Sequence, residues 1–246
     1  MLAHIEREQL RFSKDHYMTD RFGSLGKQEG RVEIWRTISR SVHPPLSQVL
    51  ILPGSKHYEL DTVLSFGYRP ENIFLVEKNP AVKANFTRIP RQDHCPKPGN
   101  FLRMLVSEAA MKLKARGITL NAAHLDFCSH CESKETFSET QKFLRSGIMR
   151  ENGLLAITVL ATREMEIDHL LGLTMSFGVK SQKGLDRRFG QLSNQDQGRL
   201  YMLWHTVGAK LDAINFGKYY NEKTRNSMLW AIFKVQKIGE YLESGS

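Results

Sequence analysis

Apolar positions fall into two kinds of run along this chain. Short ones comprise Val49, Leu50, Ile51 and Leu52, then Ile73, Phe74, Leu75 and Val76, and then residues 154–160, interrupted only by Thr158. Runs of that length with no polar alternation predict strands covered on both faces, as in a parallel sheet. Between them the period changes. Val32, Trp35 and Ile38 lie at helical spacing in 31–41, and His43-Pro44-Pro45 follows, where a residue before proline leaves the α region. A helix is expected over 57–66, with Gly67 as its stop, and another opening at Pro80. Leu102, Leu105, Val106, Ala109 and Leu113 share a face, which predicts a helix capped by Asn100 and ended by Gly117.

The pattern continues with a strand over 121–127 and a helix starting at the Ser138-x-x-Gln141 capping box. Asn152-Gly153 reads as a turn into the strand 154–160, and 194–210 as a helix with Leu200, Leu203, Trp204 and Val207 inward. Strands over 211–219 and 227–235 are separated by a polar stretch that suits only a hairpin. A third strand is expected near 90–99, but Pro90, Pro96, Pro98 and Gly99 show none. Strands separated by helices imply right-handed crossovers and a doubly wound, mostly parallel α/β sheet, here with a C-terminal antiparallel hairpin. The organisation expected is a helical N-terminal extension, 1–46, and one α/β domain, 47–246.

Charge adds a partner to this picture. The 246 residues carry a formal net charge of +9. Lys83, Arg88, Arg91, Lys97, Arg103, Lys112, Lys114 and Arg116 crowd one segment, and Lys180, Lys183, Arg187 and Arg188 another. Local cationic excess favours nucleic acid through phosphate neutralisation, against the plainer alternative of a solvated basic surface. The apolar runs are strand-sized and the first twelve residues are polar, so neither a membrane span nor a signal peptide is expected and the cytoplasm is the expected location. Three cysteines do not make a disulfide framework. Cys128 and Cys131 form a lone C-x-x-C near His94, Cys95, His124 and His130, for which reduced thiols are expected rather than zinc.

Candidate chemistry gathers where strands end. Leu52, Pro53, Gly54 and Ser55 bend the chain after the first strand, Glu77 and Lys78 close the second, and Asp126 and Phe127 close the fourth. Open α/β sheets bind ligands beyond the carboxyl ends of their strands. An acid there can accept two hydrogen bonds from a ribose diol, and Phe127 can cover a base. Taken singly, Gly54 is equally a turn glycine, and Glu77 an acid favoured at a helix start.

Taken together, residues 47–237 resemble class I (Rossmann-like) S-adenosylmethionine-dependent methyltransferases, and the overall pattern is similar to virus- or phage-encoded members. Residues 49–55 stand at that family's first, glycine-rich motif, 72–80 at the second, 124–128 at the motif after the fourth strand and 153–160 at the fifth strand. Residues 213–219 and 228–233 stand at the closing hairpin. The resemblance implies S-adenosylmethionine as cofactor, held by Leu52, Pro53, Gly54, Ser55, Glu59, Glu77, Lys78, Asp126 and Phe127, with Asp126 at the reacting centre. The first motif departs from the family: Ile51 replaces its acid, for which Glu59 is the stand-in, and Gly54 is its single glycine. Three functions stay open: a methyltransferase acting on nucleic acid, a degenerate fold serving as a non-catalytic binding subunit, and a small-molecule methyltransferase.

Overall fold

The computed structural model describes residues 25–53, 58–78, 97–130, 133–161, 192–193, 196–200, 203, 212–221 and 226–236. Helix α1 (Leu25–Ser41) leads into β1 (Val49–Ile51), α2 (Tyr58–Ser65) and β2 (Ile73–Val76). There follow β3 (Phe101–Leu102), α3 (Val106–Ala115), β4 (Leu120–His130), α4 (Lys134–Arg145) and β5 (Met149–Leu160). The hairpin β6 (Asp212–Asn221) and β7 (Asn226–Lys234) closes the sheet.

The seven strands lie in the order β3-β2-β1-β4-β5-β7-β6. Strands β1 to β5 pair in parallel. β7 is antiparallel to both β5 and β6, so it enters the sheet between them and β6 runs with the parallel set. Chain order reverses between β1 and β4, which makes that edge the switch point.

Each face of the sheet carries its own apolar layer. Leu50, Phe74, Ala123 and Leu155 pack with Ala109, Leu113 and Phe143 of α3 and α4, and Leu200 and Leu203 join them. Val49, Ile51, Leu75, Ala156 and Ile232 pack under Ile34, Trp35 and Ile38 of α1 and Leu60 and Val63 of α2. Helix α1, assigned by its sequence to an N-terminal extension, shares this second layer.

The strands that read as short apolar runs are all present, and Gly67 and Gly117 stop their helices at φ +87° and +73°, the conformation glycine adopts without cost. Four local expectations are corrected. The third strand is Phe101–Leu102, two residues long and therefore without a readable period. Asn100 does not cap a helix: it lies in a 3-10 turn, where its Nδ2 donates to the Glu71 carbonyl at 2.8 Å. Helix α3 begins instead at Val106, with the Glu108 carboxylate accepting from the Leu105 N–H at 3.0 Å. Ser138 is interior to α4, which starts at Lys134. Asn152 and Gly153 lie inside β5 rather than before it, as an irregularity with Asn152 at φ 62° whose N–H donates to the Val235 carbonyl at 2.8 Å. Residues 79–96, 162–191 and 204–211, with the helix at Pro80, Trp204 and Val207, lie outside the described residues.

The inward stripe of α1 also differs from its expected one. Lys27, Gln28, Arg31, Ile34, Trp35 and Ile38 are buried, and Val32 is only half-buried. Two glycines set the approach of this helix to β6. A Cβ on Gly26 would stand 2.2 Å from the Tyr220 carbonyl oxygen, and one on Gly30 2.3 Å from Cδ1 of Tyr219. Gly to Ala in an open helix gains about 1 kcal/mol, but a backbone oxygen on a paired strand cannot step aside as a side-chain end can. Gly26→Ala is therefore expected to destabilise by about 1–3 kcal/mol, read in thermal melts beside Glu29→Ala, which changes an exposed position of the same helix and leaves the melt nearly unmoved. A Gly26→Ala protein as stable as its parent would mean that α1 does not sit this close.

Candidate functional site

Register fixes the height of the candidate residues. Ile51 pairs with Leu75 on one side and His124 on the other. Two residues further on, Pro53, Glu77 and Asp126 therefore stand at one level, Pro53 and Glu77 just past β1 and β2, whereas Asp126, expected with Phe127 to close its strand, is inside β4 and pairs with Thr158 because that strand runs on to His130. Glu77 and Asp126 are separated by two strand spacings, about 10 Å, with Pro53 between them. Glu77 is half-buried and its N–H donates to the Leu102 carbonyl at 3.1 Å. Leu52 and Phe127 are partly buried against the α3/α4 layer, forming an apolar side to the same edge. Gly54 and Ser55 lie outside the described residues.

Two ion pairs cross this edge. The exposed Lys78 ammonium pairs with Glu135 in the first turn of α4, joining the end of β2 to the element after β4. On the α1 side, Lys27 Nζ lies 3.1 Å from Asp126 Oδ2, and both side chains are 6% exposed. Asp126, read as the candidate at the reacting centre, is thus held by a cation from a helix outside the expected site.

Beneath them is a buried polar cluster that the sequence did not reveal. Glu59 of α2, 1% exposed, accepts from Trp35 Nε1 through Oε1, and the same oxygen is 2.6 Å from His124 Nδ1. Arg31 Nε faces Glu59 Oε2 at 3.0 Å, a charge contact not aimed as a hydrogen bond. His124 Nε2 is 2.8 Å from the Thr158 hydroxyl of β5. Gln28 Nε2 donates to Thr62 Oγ1 at 3.0 Å, a further tie between α1 and α2. Burial alone would raise the Glu59 carboxyl, but the charge and hydrogen bond of His124, the Arg31 guanidinium and the Trp35 N–H together hold it below its ordinary value.

The structure therefore separates the expected residues. Pro53, Glu77 and Asp126 share the carboxyl edge, Leu52 and Phe127 line its apolar side, and Lys78 caps it in an exposed pair. Glu59 sits below, engaged by the protein's own cations, and its partners come from α1 and β4. Both ring nitrogens of His124 are taken by Glu59 and Thr158, and Cys131 is outside the described residues. Lys27 and Arg31 are the residues missed. Their four-residue separation puts both on the stripe continued by Trp35 and Ile38, the one signal the sequence offered.

The basic segment is also divided. Helix α3 runs back from the carboxyl edge, so the exposed Lys112, Lys114 and Arg116 at its last turn stand at the opposite end of the sheet from the candidate site. Lys114 Nζ there donates to the Ser146 carbonyl at 2.6 Å, and cations complement a helix C-terminus without any partner. Arg103, just after β3, is at the carboxyl end. Lys83, Arg88, Arg91, Lys180, Lys183, Arg187 and Arg188 are outside the described residues.

This strand order, with a reversed seventh strand between the fifth and sixth, is the fold of Rossmann-like methyltransferases. Solved structures with the same fold include the N-methyltransferase NodS of Bradyrhizobium japonicum WM9 in complex with S-adenosyl-L-homocysteine. It matches at TM-score 0.52 and 8% identity over 95% of this chain and 99% of that one. The 1,6-didemethyltoxoflavin-N1-methyltransferase of Burkholderia thailandensis, bound to 1,6-didemethyltoxoflavin and S-adenosylhomocysteine, matches at TM-score 0.51 and 12% identity over 96% and 89%. No protein-family profile matches the sequence, and neither does any curated protein. At these identities the likeness is one of fold.

Proposed function

We propose that this chain is an S-adenosylmethionine-dependent methyltransferase. The observation that carries the reading is the common level of Glu77, Pro53 and Asp126 at the switch point of a methyltransferase-type sheet. The donor set suits the cofactor: an acid at the end of β2 for a ribose diol, apolar Leu52 after β1 and Phe127 on β4 for the base, and a second acid two strands away for the cationic end. The cofactor supplies an electrophilic methyl group on a sulfonium. The protein's share is to bind, orient and exclude water. Asp126 and Lys27, both nearly buried, give that end of the crevice a fixed dipole in a setting of low dielectric.

Calorimetric titration of the whole chain with S-adenosylhomocysteine tests this. Saturable binding in the micromolar range is expected; no heat at millimolar ligand leaves the fold as a non-catalytic scaffold. For the acceptor, the net charge of +9 favours nucleic acid over an uncharged small molecule. Binding to a single-stranded RNA or DNA oligonucleotide is expected to weaken by at least about tenfold between 50 and 200 mM salt, measured by fluorescence anisotropy. Binding that is absent or indifferent to salt would return the acceptor to the small-molecule class.

A further inference from the structure

Sequence and structure disagree about how the amino-acid end of the cofactor could be held. It is a zwitterion, an ammonium and a carboxylate on one carbon. A glycine-rich turn after β1 would offer backbone N–H groups to the carboxylate. Here that turn has one glycine, Gly54, and Pro53 before it has no N–H to give. Opposite charges nevertheless stand at the level of Pro53, one strand away: Lys27 Nζ and Asp126 Oδ2, 3.1 Å apart and nearly buried.

Resting on the cofactor reading above, we infer that Lys27 and Asp126 form a two-point receptor for that zwitterion. Asp126 takes the ammonium and Lys27 the carboxylate, so that a side chain of α1 does the work that a glycine-rich sequence after β1 would do. Signs alternate around the four charges, so the protein's own pair remains in contact while the ligand completes the ring. A lysine ammonium has three donors and a carboxylate about four acceptor positions, so their mutual contact alone exhausts neither.

The ammonium is also fixed in advance. The close seats of Gly26 and Gly30 against β6 set the helix. One turn beyond Lys27, Arg31 is held by Glu59, and one turn further Trp35 donates to the same carboxylate. Asn215 Nδ2 donates to Thr37 Oγ1 at 3.0 Å, tying α1 to β6 again. A lysine on such a mount loses little further freedom when it binds, which is what makes a side chain as useful here as backbone.

The experiment compares S-adenosylhomocysteine with 5′-methylthioadenosine, which keeps the nucleoside and thioether but has no amino-acid end. Both are titrated calorimetrically into the full chain and into Lys27→Met and Lys27→Arg, each checked for folding by thermal melt. Lys27→Met is expected to weaken S-adenosylhomocysteine by about tenfold or more and to leave methylthioadenosine unchanged, with Lys27→Arg recovering part of the loss. Equal weakening of both ligands would reduce Lys27 to a structural role. No change would remove it from the site, and tighter S-adenosylhomocysteine binding would make it a competitor for Asp126; each result overturns the inference. If Lys27→Met does not fold, the parent chain with decarboxylated S-adenosylhomocysteine decides, since loss of the carboxylate alone must then cost about tenfold. A parent chain that binds neither ligand fails the cofactor reading itself, a result distinct from all the others.

Discussion

Glu59→Ala is expected to cost about 3–5 kcal/mol of folding stability, the loss typical when one member of a buried ion pair is removed. The carboxylate is 1% exposed and joins three elements: Arg31 and Trp35 of α1, its own helix α2, and His124 of β4. Without it a buried guanidinium loses its counter-charge and the Trp35 N–H its acceptor. A domain has only about 5–15 kcal/mol of stability in all, so urea midpoints should fall sharply. A double change, Glu59→Leu with Arg31→Met, should recover only part of the loss, because it removes both charges but leaves the Trp35 N–H and His124 Nδ1 without the Glu59 carboxylate. The sign with pH follows from the depressed Glu59 carboxyl. Its contribution is complete above the unfolded carboxyl value of about 4.3 and fades as pH falls through the lower folded value. The gap between parent and Glu59→Gln should therefore be full at pH 7 and narrow below about pH 4. A gap under about 1 kcal/mol at neutral pH, the scale of an exposed pair, would show that the cluster does not hold α1 to the sheet.

That cluster marks where the sequence could be read and where it could not. Val49, Leu50 and Ile51 announce a strand because both faces are covered, so burial and pattern carry the same message. Phe101–Leu102 is invisible because two residues have no period, although it is a full member of the sheet. Lys27 and Arg31 mislead for a different reason. Periodicity counts cations as outward-facing, and only the acids waiting for them, Asp126 and Glu59, turn them inward. Those acids are 99 and 28 residues away along the chain (126 minus 27, 59 minus 31), so no local window contains both partners. Glu59 itself stood out in the sequence as a substitute for the acid that Ile51 displaces. Its occupation by the protein's own Arg31, Trp35 and His124 comes from tertiary pairing, which composition and spacing do not encode. Glu77 could be placed at a strand end because it closes an apolar run, whereas the continuation of β4 past Asp126 to His130 passes through polar residues that carry no strand pattern.

Glu77→Ala should weaken S-adenosylhomocysteine by about 1.5–3 kcal/mol, the worth of a hydrogen bond to a charged group, equivalent to about 10- to 150-fold in Kd. The residue is half-buried at the end of β2, one strand from Pro53, which follows β1. Its backbone is held by the bond to Leu102, so truncating the side chain removes an acceptor without freeing the strand end. Lys78→Ala is the control. Its side chain is 62% exposed and meets Glu135 in a solvent-facing pair, which is worth at most about 1 kcal/mol, and binding should hardly change. The ligand pair used for Lys27 separates the two ends of the crevice. Both ligands carry the ribose diol, so Glu77→Ala should weaken methylthioadenosine as much as S-adenosylhomocysteine, whereas Lys27→Met should spare the former. If Glu77→Ala spared both ligands while the parent chain bound them, the diol would have to be held elsewhere, and the level shared by Glu77, Pro53 and Asp126 would no longer define the site.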